Sequence, residues 1–213
     1  YRWQARAVDQ SGRTSAWTSL GGTGAHFRTA LPPAAVAFDQ QPTSTAAGVA
    51  ITPAVRVAVL SAGGAVLTSY TGPVTVALAS NTAGATLSGT TTLNAVSGIA
   101  TFTDLSLNRV GSGYTLRATV GVLETTSNAF NVTSSAADRM ELGAVPATAV
   151  AGVALSPAIT VTVRDALGNV ATGFSGNVTL ALAPNDSSAV LLGTTTVAAV
   201  NGVATFSDVR IER

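Results

Sequence analysis

The sequence predicts an all-β chain of tandem antiparallel sandwiches, and three observations carry that prediction. Apolar and polar residues alternate with period two over short stretches, and no stretch of useful length has helical period. Gly, Pro, Ser and Asn interrupt those stretches roughly every 8–12 residues, the punctuation of a two-sheet fold. The chain also repeats itself. Ala47-Gly-Val-Ala-Ile-Thr-Pro-Ala returns as Ala151-Gly-Val-Ala-Leu-Ser-Pro-Ala, and Gly89-Thr-Thr-Thr as Gly193-Thr-Thr-Thr. Gly98-Ile-Ala-Thr-Phe-Thr-Asp-Leu returns as Gly202-Val-Ala-Thr-Phe-Ser-Asp-Val. The offset is 104 residues throughout, and about 34 of 76 aligned positions are identical. A repeat of that length is a domain and not one turn of a solenoid.

The first thirty residues form a hairpin by pattern. Tyr1, Trp3, Ala5 and Ala7 share one face of a strand, Asp9–Gly12 turns, and Ser15–Trp17 with His26–Thr29 return. A lone hairpin is marginal in water, so something must cover it. Residues 31–35, Leu-Pro-Pro-Ala-Ala, are a stiff extended linker. Residues 36–133 form the first full domain. Its strands follow Val36–Phe38, then Val55, Val57 and Val59, then Val74, Val76 and Leu78. Ala100 and Phe102 share a face, and the phase shifts at Asp104 to Leu105 and Leu107. Tyr114, Leu116, Ala118 and Val120 alternate, and Phe130 with Val132 closes the domain. Residues 134–137 are a short link. Residues 138–213 repeat the first domain as far as the position of Arg109, without its last two strands.

Composition limits function more than it suggests one. Of 213 residues 46% are hydrophobic, mostly Ala and Val, and 10% are charged, against a usual share of about 25%. Small apolar side chains imply thin cores and many short strands. Net charge is +1, so no field gathers nucleic acid or an acidic membrane. The absence of Cys excludes a disulfide scaffold and thiolate metal sites. No apolar run approaches the ~18 residues of a membrane span. The chain starts at Tyr1 without a signal peptide and reads as a piece of something longer.

Two family resemblances follow from these residues. Tyr1-Arg-Trp-Gln-Ala-Arg-Ala, a polar Gly turn and Ser15-Ala-Trp17 resemble the last two strands of a fibronectin type III domain. The blocks at Ala47 and Ala151, Asp165-Ala-Leu-Gly-Asn, Ser175-Gly-Asn-Val-Thr-Leu and Gly-x-Ala-Thr-Phe-x-Asp resemble bacterial immunoglobulin-like repeats of the invasin and intimin group. The second resemblance covers most of 36–213. It implies immunoglobulin-like sandwiches, and a surface or secreted bacterial protein whose repeats serve as stalks, adhesin shafts or spacers.

Catalytic and ligand patterns are sparse. His26 is the one His, with no partner for a metal or a catalytic pair. No nucleophile elbow, phosphate loop or His-Glu-x-x-His occurs. Asp104 and Asp208 occupy equivalent places, where each would bond nearby backbone N–H groups and fix a bend; the alternative is a calcium site, which needs several clustered oxygens. Asp165 and Asn169 belong to a hairpin turn around Gly168 that the first copy replaces with Ser61-Ala-Gly-Gly-Ala65, and Asn185-Asp186 faces Asn81-Thr82. Chemistry lost in the sister copy reads as turn chemistry. Trp3 reads as core, and Trp17 and Tyr70 could begin a sugar-stacking surface. Asn131, Asn177 and Asn185 lie in glycosylation-type triplets.

No catalytic residue, cofactor or metal is expected. The expected role is a structural segment of an extracellular bacterial fibre, filament or cell-surface stalk, with adhesin or carbohydrate-binding module, or accessory part of a secreted hydrolase, as alternatives. Partners are neighbouring copies or adjoining domains of a longer chain, and surface glycans in the adhesive alternative. Because the chain starts with closing strands and lacks them at its end, copies could join head to tail by strand addition. The residues expected at that contact are Tyr1, Trp3, Phe27, Val178, Leu180 and Phe206.

Overall fold

Alternation in the sequence becomes strand throughout. A computed structural model describes residues 3–6, 8, 18–20, 31–183 and 188–213, and every regular element among them is a β-strand. The chain divides into two units, Tyr1–Pro32 and Pro33–Arg213. In the first, β1 (Trp3–Ala5) pairs antiparallel with β2 (Thr18–Leu20), Trp3 opposite Leu20. The return expected at 15–17 and 26–29 lies outside the described residues.

The second unit opens with a sandwich made of β3 (Ala35–Gln40), β4 (Thr45–Ala46), β5 (Val55–Leu60), β6 (Pro73–Ser80), β7 (Leu87–Ser88), β8 (Thr92–Asn94), β9 (Ile99–Phe102), β10 (Ser106–Leu107), β11 (Gly111–Val120), β12 (Leu123–Thr126) and β13 (Phe130–Thr133). One sheet runs β3-β5-β9 and the other β4-β13-β11-β6-β8, with β12 also on β11; β7 and β10 form a short ribbon. All pairings are antiparallel except β4 with β13. The seven stretches expected from alternation are β3, β5, β6, β9, β10, β11 and β13. The pieces β4, β7, β8 and β12 carry no fully buried residue, so no apolar alternation marks them.

The sheets meet through the alternating positions. Val55, Val57 and Val59 from one face Val74, Val76, Leu116 and Ala118 from the other, all at most 1% exposed. The phase shift at Asp104 is real: Phe102 and Leu105 are both buried, so the step between them turns the chain without losing the core. Tyr114 fills the end of this core, its ring centroid 6.0 Å from that of Phe130, and its hydroxyl donates to the Arg109 carbonyl at 3.0 Å. Burial pushes the phenol's pKa up, which keeps it a donor.

The second sandwich uses β14 (Ala137–Leu142), β15 (Ile159–Asp165), β16 (Asn177–Thr179), β17 (Val190–Leu192), β18 (Thr196–Ala198), β19 (Val203–Phe206) and β20 (Arg210–Glu212). Its sheet β14-β15-β19 matches β3-β5-β9 in order and register: Val55 opposite Phe102 becomes Ile159 opposite Phe206. A Thr75–Thr92 hydroxyl pair at 2.9 Å returns as Thr179–Thr196 at 2.9 Å. The copies differ where β11 and β12 lie against β3 in the first sandwich. Val36 is 7% exposed and its counterpart Met140 is 57% exposed. Among the described residues no strand corresponding to β11–β13 lies over that face.

Candidate functional site

Buried polar side chains are rare here, and one of them marks the site. Asp165, at the end of β15, is the one carboxylate buried among the described residues, with 0% exposure. The five-residue hairpin that follows closes by Asp165 N–H donating to the Asn169 carbonyl at 2.9 Å and Gly168 N–H to the Asp165 carbonyl at 3.0 Å. Gly168 has φ +87°, the left-handed conformation a glycine adopts without strain. That turn folds the backbone around the carboxylate. Oδ1 accepts from Leu167 N–H at 3.0 Å and Asn169 N–H at 2.9 Å, and Oδ2 accepts from the Asn169 amide at 3.0 Å.

The same cluster reaches across the junction. Ser135 of the linker donates its N–H to Asp165 Oδ2 at 3.1 Å and its hydroxyl to the Ala47 carbonyl of the first sandwich. Asn169 reads that sandwich twice, donating to the Asn108 carbonyl at 3.0 Å and accepting from Val110 N–H at 3.2 Å. Leu167 sits over Gly48, where a Cβ would come within 2.9 Å of its Cδ1. Arg139 donates to the carbonyls of Asp165 and Ala166 at 3.2 and 3.4 Å, holding the turn from the side of β14. Arg164 donates to the Gly168 carbonyl and pairs with Glu141. Linker, turn and the end of the first sandwich are therefore one hydrogen-bonded knot.

Electrostatics agree with that geometry. Burial alone pushes the Asp165 carboxyl upward, but the hydrogen bonds from Asn169, Ser135 and Leu167 outweigh it and hold the group below its usual value. The carboxylate is therefore charged wherever the chain is folded near neutrality, which strengthens each donor bond to it.

Asp104 and Asp208 are tied differently. Asp104 accepts from Thr90 N–H at 2.9 Å and Thr90 hydroxyl at 2.8 Å, and Asp208 from Thr194 at 3.0 and 2.8 Å. The partner is the repeated Gly-Thr-Thr-Thr block, fourteen residues upstream. Gly89 and Gly193 pass so close to the Asp104 and Asp208 carbonyls that a side chain would collide. Both carboxyls are lowered, Asp104 mainly by the backbone bond from Thr90 and Asp208 mainly by the Thr194 hydroxyl. A group depressed in the folded state contributes stability above its unfolded pKa and loses it as pH falls through the folded one. Melting temperatures are thus expected to fall as pH drops below about 4. Asp104→Asn with Asp208→Asn should flatten part of that fall, leaving the part due to Asp165; an unchanged slope would refute the assignment.

The remaining expected residues fall as follows. Val178 and Phe206 are in the second core, 3% and 0% exposed, and Leu180 packs half-buried against it. Trp3 lies in β1, while Tyr1, Trp17, His26, Phe27, Asn185 and Asp186 lie outside the described residues. Tyr70 is half-buried against the first core and donates to the Pro73 carbonyl at 3.0 Å. Asn131 accepts from Gly113 N–H, and Asn177 is exposed at the start of β16. A depression of 320 Å³ beside the linker is lined by Ser134–Ala137, Ala171, Gly173 and Phe174, none of them ionisable. Among the described residues no three His, Cys, Asp or Glu side chains cluster as metal ligands, and no helix is long and apolar enough to cross a membrane.

The turn expected at Asp165 and Asn169 forms, and it also joins the two sandwiches. The signal is the disagreement between copies: Ser61, Gly63 and Ala65 become Asp165, Leu167 and Asn169, of which Leu167 and Asn169 meet the upstream sandwich and Asp165 the linker.

No family model and no curated protein matches the chain. Among solved structures it is similar to domains 4–9 of the surface layer protein SbsC, with 19% identity and a TM-score of 0.38 over 92% of this chain and 29% of that one. It is similar to FdeC, an Escherichia coli adhesin, with 17% identity and a TM-score of 0.46 over 87% of this chain and 57% of that one. Domains 5–6 of SbsC align with 20% identity and a TM-score of 0.35 over 83% of this chain and 84% of that one. The chain thus spans less than two thirds of the first two.

Proposed function

We propose that this chain is a non-enzymatic structural segment of an extracellular bacterial fibre or cell-surface stalk, in which successive sandwiches are held at fixed angles. The observation that carries this reading is the knot around Asp165, which replaces a free linker by hydrogen bonds from both sandwiches. A freely hinged pair would not need a buried carboxylate between its blocks. Stiff junctions let an array transmit reach and tension, and that is the mechanism here. The resemblance of the repeated blocks to bacterial immunoglobulin-like repeats supports a place outside the cell. The uncovered face of the second sandwich, with Met140 and Leu142 both more than half exposed, leaves room for strands from an adjoining stretch or a neighbouring copy. The adhesive alternative has less to stand on, since Tyr70 packs inward.

The test is a distance measurement across the junction. Val96 and Val200 are equivalent positions, 77% and 71% exposed, and the chain has no Cys to interfere. Spin labels on Val96→Cys and Val200→Cys should give one narrow distance distribution. Asn169→Ala should broaden it, with a coupling loss of about 1–2 kcal/mol. A broad distribution in the parent chain would overturn the stalk reading.

A further inference from the structure

The surface that receives the Asp165 turn is repeated at the far end of the second sandwich. On the first sandwich it consists of the Ala47 carbonyl, the Gly48 Cα and the backbone flanking Arg109. Gly48 is placed there by its N–H bond to the Leu107 carbonyl at 2.8 Å and by φ +76°. On the second sandwich Gly152 donates to the Ile211 carbonyl at 2.9 Å with φ +75°. One step further, Ile51 N–H to Leu105 carbonyl at 2.8 Å is matched by Leu155 N–H to Val209 carbonyl at 2.8 Å. The Ala151 carbonyl, Gly152 and the Glu212 carbonyl therefore repeat the Ala47, Gly48 and Asn108 groups of the receiving surface. What differs is the cover. Leu167 crowds Gly48, whereas the nearest atom to a Cβ on Gly152 would be Glu212 Oε1 at 3.7 Å.

We infer that the far end of the second sandwich is a docking surface for another sandwich that presents an Asp-x-Leu-Gly-Asn turn behind a Ser-containing linker. The occupant is a separate domain and not a second copy of this chain, because the turn at Asp165–Asn169 is already engaged within its own chain. Recognition is by backbone: an Asn amide donates to the Glu212 carbonyl, a Ser hydroxyl meets the Ala151 carbonyl, and a Leu covers Gly152. A domain bearing a turn like Ser61-Ala-Gly-Gly-Ala65 has no carboxylate, no amide and no apolar side chain beyond Ala methyls to offer. The pairing of turn and receiving end thus acts as a code for which domain can follow rigidly. This deepens the stalk reading and rests on it.

The experiment extends the full chain. Residues 110–213 are appended after Arg213, so that the appended 110–133 supply strands to the second sandwich and the appended 138–213 supply a third sandwich with its own turn. Labels at Val200→Cys and at the same residue of the appended copy should give the distance and width found between Val96 and Val200. Asn169→Ala in the appended copy alone should broaden the new distribution and leave the old one unchanged. A broad new distribution beside a narrow old one would sink the docking surface while sparing the stalk reading; two broad distributions would sink the stalk reading itself. A shorter extension, residues 110–137 alone, guards against misfolding. It should raise the melting temperature of the second sandwich, and its failure to do so would overturn the equivalence of the two ends on which the inference stands.

Discussion

Asp165→Ala is expected to destabilise the second sandwich by about 3 kcal/mol and to release it from the first. The carboxylate is 0% exposed and accepts from Ser135, Leu167 and the backbone and side chain of Asn169. Alanine leaves these donors in place and removes their acceptor. A buried donor without a partner costs about 1–3 kcal/mol, and local relaxation keeps the sum well below four full penalties. Asp165→Ser separates the two roles of the residue. In the first copy Ser61 closes the same hairpin with its hydroxyl on the Ala65 carbonyl at 3.1 Å. Serine at 165 should therefore restore much of the hairpin but not the link to Ser135. Urea unfolding reads the stability, and the Val96–Val200 distance reads the junction. Equal stability of Asp165→Ala and the parent would show that the carboxylate holds nothing.

Phe206→Ala should unfold the second sandwich at room temperature, whereas Phe102→Ala should leave the first one folded but weakened by about 3–5 kcal/mol. Both rings are 0% exposed and occupy the same place in the repeat. The lost contacts and the cavity are alike, so the difference lies in what remains. Among the described residues the first core gathers twenty buried residues and the second ten, and the first owes Tyr114, Leu116, Ala118, Val120, Phe130 and Val132 to β11 and β13. With a typical domain margin of about 5–15 kcal/mol, the smaller core falls at the low end and a Phe→Ala loss consumes it. Amide exchange resolved by sandwich distinguishes the two. Equal protection of both sandwiches in both variants would contradict the argument.

Most of the architecture was legible because small β-formers leave few alternatives. Val55, Val57 and Val59 alternate along one face of a strand, and all three are buried there. The phase change at Asp104 was also readable, since Phe102 and Leu105 could share a core only if the backbone turned between them. The partner of Asp104 was not readable, although Gly89-Thr-Thr-Thr and the Asp block repeat together. Two short segments fourteen residues apart carry no local sign that they touch.

The junction shows where such reading stops. Asp165, Leu167 and Asn169 each fit a hairpin turn, and local propensity accounts for them without remainder. The sequence by itself determined the repeat, the turn and most of the strands, because period-two burial and left-handed glycines are properties of neighbouring residues. Only the tertiary structure decided that the turn abuts Asn108 and Val110 and that Ser135 bridges to Ala47. Those facts depend on how one folded block is oriented against the next, a geometry set by hydrogen bonds between residues as far as 88 positions apart, and no periodicity encodes it.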